Sequence, residues 1–148
     1  MKPISGAMPL AALEAIAIDT ETTGLDTARA RVIQLAGIGI ELGRVKPDEA
    51  FETLIDPGEP IPAASSEIHG IRDSDVGGAP AFAEAFASFS AFRAGRVLVG
   101  HSMGFDLAVL QGEAMRANLP WTKPRSLCVR LLGAVANPRL HDESLDTL

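Results

Sequence analysis

Apolar and polar positions divide this chain into strands in its first third and strand–helix units after it. Ala15-Ile16-Ala17-Ile18 is a short apolar run with β-branched residues, and predicts a buried strand over about 14–20. Leu25 to Arg31 is polar and alanine-rich, and reads as a loop. Val32 to Glu41 is mostly apolar with Gly37 and Gly39 inside it, and reads as a second strand. Turn signals occupy Gly43 to Asp48, and a third strand is expected over 50–55. Connections this short favour antiparallel neighbours.

Asp56-Pro57-Gly58 breaks the third strand, and Pro60 and Pro62 keep the chain extended. Ser65-Ser66 suits the cap of a short helix through His69, halted by Gly70. Asp73-Ser74-Asp75 is a second cap-like cluster. Phe82, Phe86, Phe89 and Phe92 then recur at helical spacing between Pro80 and Gly95. That stripe reads as core packing, not as a platform for bases. Val97 to Gly100 is short and continuously apolar, as a central strand would be. Helices are expected over about 105–117 and 126–135, the second ended by Asn137-Pro138. A last helix, capped by Asp142 or Ser144, has only started at Leu148. Antiparallel strands followed by β-α units imply an α/β fold: a mixed sheet flanked by helices. The expected organisation is an N-terminal arm over 1–13 and one domain over 14–148.

Composition narrows the function classes. Of 148 residues, 47% are hydrophobic, enough for a folded core. The 19 acidic against 13 basic side chains give a net charge of −6, unlike a general nucleic-acid coat protein. An enzyme that holds a short strand through bound cations tolerates that balance. The single cysteine, Cys128, rules out an internal disulfide and reads as a small core residue. No stretch is long enough to span a bilayer, and Pro9 and Glu14 interrupt the apolar N-terminal run. A cytoplasmic, reducing location without a membrane partner is the expectation.

The candidate chemistry lies where the first strand ends, at Asp19-Thr20-Glu21-Thr22-Thr23-Gly24. Residues two apart on a strand share a face, so Asp19 and Glu21 project together. Carboxylates on one edge suit Mg²⁺ or Mn²⁺, which prefer oxygen ligands. Taken alone, the pair reads first as a polar turn with solvated acids. Downstream, Val97-Leu98-Val99-Gly100 is followed by His101-Ser102-Met103-Gly104-Phe105-Asp106. Asp106 falls in the first turn of a helix, where the dipole favours an acid.

These two motifs, in this order, resemble those of the DEDDh (DnaQ-like) 3′–5′ exonucleases of the ribonuclease H-like superfamily. The resemblance covers the chain from about Glu14 to its end. It implies a ribonuclease H-like sheet, three antiparallel strands and then parallel β-α units. It also implies two Mg²⁺ or Mn²⁺ ions held by Asp19, Glu21 and Asp106, and hydrolysis of terminal phosphodiesters to nucleoside monophosphates. The substrate would be the 3′ end of a single strand, with a polymerase or repair complex as a candidate partner.

By the same resemblance Thr20, Thr22 and Thr23 hold the terminal nucleotide, and Leu25 wedges beside its base. Glu67-Ile68-His69-Gly70-Ile71 matches an Ile-His-Gly-Ile segment whose histidine faces that nucleotide. His69 otherwise reads as a turn residue. Phe105 packs under the sugar or base, or belongs to the core. His101 supports the strand end. Ser102 stands where the family usually has asparagine, and reaches less far.

The family's third motif, a histidine general base and a fourth aspartate five residues apart, has no clear match after Asp106. His141 and Asp146 imitate the spacing, but Ser144-Leu145-Asp146-Thr147-Leu148 resembles the helix before that motif. The expectation is a domain that stops short of its third motif and, by itself, cuts weakly or not at all. The alternatives are a module that binds metal or nucleotide without catalysis, and a scaffold in which the three acids do not converge. Nothing in the sequence separates DNA from RNA.

Overall fold

A two-residue turn organises the first half of the sheet. Leu42 and Gly43 both take positive φ (51° and 71°), the geometry that lets a tight hairpin follow strand twist. The turn joins β2 (Val32–Glu41) to β3 (Arg44–Leu54). The structure is a computed structural model that describes residues 8–137. The turn expected over 43–48 is thus mostly strand. Its remaining turn signals are absorbed where Lys46 pairs with Gly39 but Ala50 with Ile38, leaving Pro47, Asp48 and Glu49 as extra residues. A bulge is where a strand accepts proline, which has no amide proton to donate.

β1 (Ala15–Thr22) pairs antiparallel with β2 on one side and parallel with β4 (Val97–Gly100) on the other. β5 (Ser126–Cys128) extends the sheet parallel to β4, and the strand order is β3-β2-β1-β4-β5. This is the mixed sheet expected. Residues 126–128, however, are strand and not the start of a helix; α5 begins only at Val129 and runs to Ala136. Three residues carry too little pattern to distinguish a strand from a helix turn. The last helix and the His141/Asp146 pair lie outside the described residues. Of the N-terminal arm, Leu10–Ala12 form a peripheral 3-10 turn.

Between β3 and β4 lie α1 (Ala63–His69), α2 (Asp73–Val76) and α3 (Phe82–Arg93). Gly70, with φ +81°, ends α1 as expected. The aspartate cluster serves α2 from inside its first turn: the Arg72 amide donates to Asp75 at 2.8 Å, and Asp73 accepts from the Ile61 amide. Phe82 and Phe89 of α3 are buried against Ile16, Ile18 and Leu35 of the sheet, so the phenylalanine stripe is core. Gly37 makes this approach possible. A Cβ there would lie 3.0 Å from Ile16 and 3.2–3.3 Å from the Phe92 and Phe89 rings. Burying each large apolar side chain is worth about 1.5–3 kcal/mol.

α4 (Met103–Arg116) packs Met103, Leu107, Val109, Leu110 and Ala114 into the same core. It leaves β4 through a sharp corner in which Ser102 is left-handed, at φ 55°. Gly100 permits that corner, because a Cβ would come within 2.6 Å of the Met103 sulfur and 3.0 Å of the Ile18 carbonyl. The start of α4 is thereby set beside the end of β1. Cys128 is half-buried and packs against this core.

Candidate active site

In open α/β sheets the carboxyl ends of parallel strands are where ligands bind. Here β1 and β4 are such a pair, and each delivers acid at its end. On β1, alternation places Ile16, Ile18 and Thr20 inward, and Asp19 and Glu21 on the opposite face. Asp19 is exposed and Glu21 half-buried. Asp106 enters from the first turn of α4 and is only 4% exposed. Its Oδ1 accepts a 2.8 Å hydrogen bond from the Thr20 hydroxyl.

The electrostatics tie the acids together. Burial pushes the Asp106 carboxyl up to about 6; the Thr20 hydrogen bond opposes this, and the Asp19 charge adds to it. Glu21 is also raised, by burial first and then by Asp19, with His69 pulling the other way. The charge of Asp19 therefore reaches both other carboxylates. Among the described residues, no three His, Cys, Asp or Glu side chains stand close enough to hold one ion together. The donor set still fits a hard divalent cation in kind: three carboxylates, two of them raised in pKa by burial first and by the Asp19 charge after it.

The remaining expected residues fall into two groups. Each of the three threonine hydroxyls makes a hydrogen bond within the protein. Thr20 orients Asp106, Thr22 donates to the Gly24 carbonyl at 2.8 Å, and Thr23 accepts from the Arg31 amide at 2.9 Å. Each of these hydroxyls has one bond that shapes the corner. Leu25, by contrast, is 85% exposed just beyond it. Ser65 of α1 donates to the Thr23 carbonyl at 2.9 Å, which ties the His69 helix to the same corner. Phe105 is partly buried against the core. Ser102 and His101 lie side by side, Oγ to Nδ1 3.5 Å.

His69 closes the turn after α1. Its Nδ1 accepts from the Ile71 amide at 3.0 Å, so the proton of the neutral ring sits on Nε2. That Nε2 is buried and has no hydrogen-bond partner among the described residues. An unsatisfied buried donor is uncommon and costs free energy. Here it lies within electrostatic reach of Glu21.

Two charged residues were not foreseen: Arg31 and Glu113, an ion pair with Nε–Oε1 2.6 Å. The signal was available. Glu113 falls seven residues after Asp106, on an otherwise apolar helix face, where an acid needs a partner.

Comparison with known proteins decides the family. The RNase_T exonuclease family model matches residues 16–148. This chain belongs to that family. A DNA polymerase III subunit epsilon-like protein of Rhodobacter capsulatus is 41% identical over 141 residues, 95% of this chain and 20% of that protein. A DNA polymerase III PolC-type of Halalkalibacterium halodurans is 31% identical, again over 95% of this chain but 10% of the relative. The chain thus spans a fifth or less of these relatives. Among solved structures, the cell-death related nuclease CRN-4 superposes with TM-score 0.77 at 16% identity, covering 89% of this chain and 50% of that one. Exonuclease X in complex with 5′ overhanging duplex DNA gives 0.68 at 23% identity, covering 88% and 68%. These likenesses give the ribonuclease H-like fold. The domain is an exonuclease domain of the DEDDh type, and such a family implies dependence on a divalent metal. No described helix is long and apolar enough to cross a membrane.

Proposed function

We propose that this chain is the nuclease unit of a metal-dependent 3′–5′ exonuclease acting on single-stranded ends. The observation that supports the reading is the Thr20–Asp106 hydrogen bond, which ties the acid of α4 to the strand that carries Asp19 and Glu21, beside the parallel β1–β4 pair. Asp19, Glu21 and Asp106 would hold Mg²⁺ or Mn²⁺, which supply an activated water and charge stabilisation when bound. The chain's own residues do the positioning. Thr20 fixes the Asp106 carboxylate. The Nε2–H of His69 is a donor for an oxygen of the terminal nucleotide, Leu25 packs beside its base, and Phe105 and Ser102 border the sugar. The names of the relatives favour a DNA polymerase as the partner.

A second reading keeps metal or nucleotide binding without cleavage. It is favoured by the absence of a three-acid cage among the described residues. A 5′-labelled single strand with Mn²⁺ separates the two. One-nucleotide trimming from the 3′ end, abolished by Asp19→Ala, supports the enzyme. Mn²⁺ binding with no trimming supports the binding module. Parallel DNA and RNA strands identify the sugar.

A further inference from the structure

We infer that Arg31 and Glu113 are positioning residues for the reacting end of the nucleic acid, holding the Thr22–Leu25 corner at a fixed distance from Asp106. This rests on the function proposed above. Glu113 is 1% exposed and lies two helical turns after Asp106, on the same inward face of α4. Its Oε1 accepts from Arg31 Nε at 2.6 Å and the Val32 amide at 3.2 Å, and its Oε2 from Arg31 Nη2 at 3.2 Å. Two parallel bonds from one guanidinium fix direction as well as distance.

Arg31 passes this hold to the corner. Its amide donates to the Thr23 hydroxyl and its carbonyl accepts from the Thr23 amide, both at 2.9 Å. The two bonds close the neck of the loop that carries Leu25. Arg116, one turn after Glu113, donates to the carbonyls of Ala28 at 2.8 Å and Ala30 at 3.2 Å. Ser65 grips the Thr23 carbonyl from the other side. One helix thus presents Asp106 at its start and holds the Leu25 loop from its far end. An exposed apolar side chain is useful beside a base only if its loop is stiff, because ordering a loose one offsets the contact.

A stabilising role and a positioning role respond differently to substitution. A buried ion pair is often replaced by apolar side chains of similar size with no loss of stability, but those side chains cannot reproduce the directed bonds. That difference gives the test. The full chain is mixed with Ca²⁺ and a 5′-fluorescein oligothymidylate, and affinity is read by anisotropy beside thermal unfolding and amide exchange over 23–32. Glu113→Gln is expected to weaken binding about tenfold and speed exchange at Thr23 and Val32. Arg31→Lys, which keeps charge but not the fork, is expected to lose about threefold. The double variant Arg31→Met/Glu113→Leu is expected to unfold at or above the wild-type temperature and still bind weakly. If Glu113→Gln does not fold, the other two variants decide. Wild-type affinity in the double variant, or in a folded Glu113→Gln, overturns the inference alone. Failure of the wild-type chain to bind the oligonucleotide overturns the proposed function and this inference with it.

Discussion

The Thr20 hydroxyl donates a 2.8 Å hydrogen bond to Oδ1 of Asp106, joining residues 86 apart in sequence. It is a direct link between the first acidic strand and the helix that brings the distant acid. Removing it leaves a carboxylate buried with less support. Thr20→Val, close in shape, should destabilise the fold by about 1–2 kcal/mol in urea unfolding at pH 8. It should also raise the Asp106 pKa above its already elevated value, seen by titrating the carboxyl in NMR.

Asp106 makes stability depend on pH in a particular direction. Its ordinary value is 3.8 and the fold raises it to about 6, so the folded chain holds this proton more tightly than the unfolded chain. The stability it contributes is full below about pH 4 and is lost as pH rises through about 6. The shift corresponds to about 3 kcal/mol. In EDTA, Asp106→Asn should therefore match wild type near pH 4 and exceed it by up to that amount at pH 8. Urea unfolding of both proteins across that range checks this.

Under the proposed function the same acid links metal affinity to pH. A ligand carboxylate must be deprotonated to bind a cation. Mn²⁺ affinity, measured by calorimetry, should climb as pH passes through about 6 and then level. In Asp106→Asn the affinity should be lower throughout, without the step near 6.

Gly100 is where local geometry and the site are most tightly coupled. Adding a Cβ there presses on the Met103 sulfur and the Ile18 carbonyl, at the corner that launches α4. Gly100→Ala should cost about 1–3 kcal/mol in stability. It should also depress trimming more than unfolding accounts for, because Asp106 lies three residues into the displaced helix. Activity assayed well below the unfolding temperature separates the two effects.

Much of this was legible in the chain, and the reasons are physical. β2 and β4 matched their predicted bounds, since long or continuous apolar runs leave little choice of element. Asp19, Glu21 and Asp106 stood out because two motifs in the right order resemble the family's; each acid alone reads as a solvated turn or helix-start residue. What stayed hidden depended on contacts across the fold. The inward turn of Thr20 and Thr22 lengthened β1 by two residues, and only the arrival of Asp106 explains the first of them. β5 was missed because pairing with β4, not its own three residues, makes it a strand. Glu113 was passed over because its partner lies 82 residues earlier. The tautomer of His69 required the position of the Ile71 amide.

The central claim is that carboxylates from β1 and α4 grip divalent ions together. Anomalous diffraction at the manganese edge, from crystals of the full chain grown with Mn²⁺, tests it most directly. The expected result is a peak between the side chains of Asp19, Glu21 and Asp106, lost in Asp19→Ala. Manganese bound elsewhere, or no peak at that position with the strands and α4 well ordered, would contradict the account.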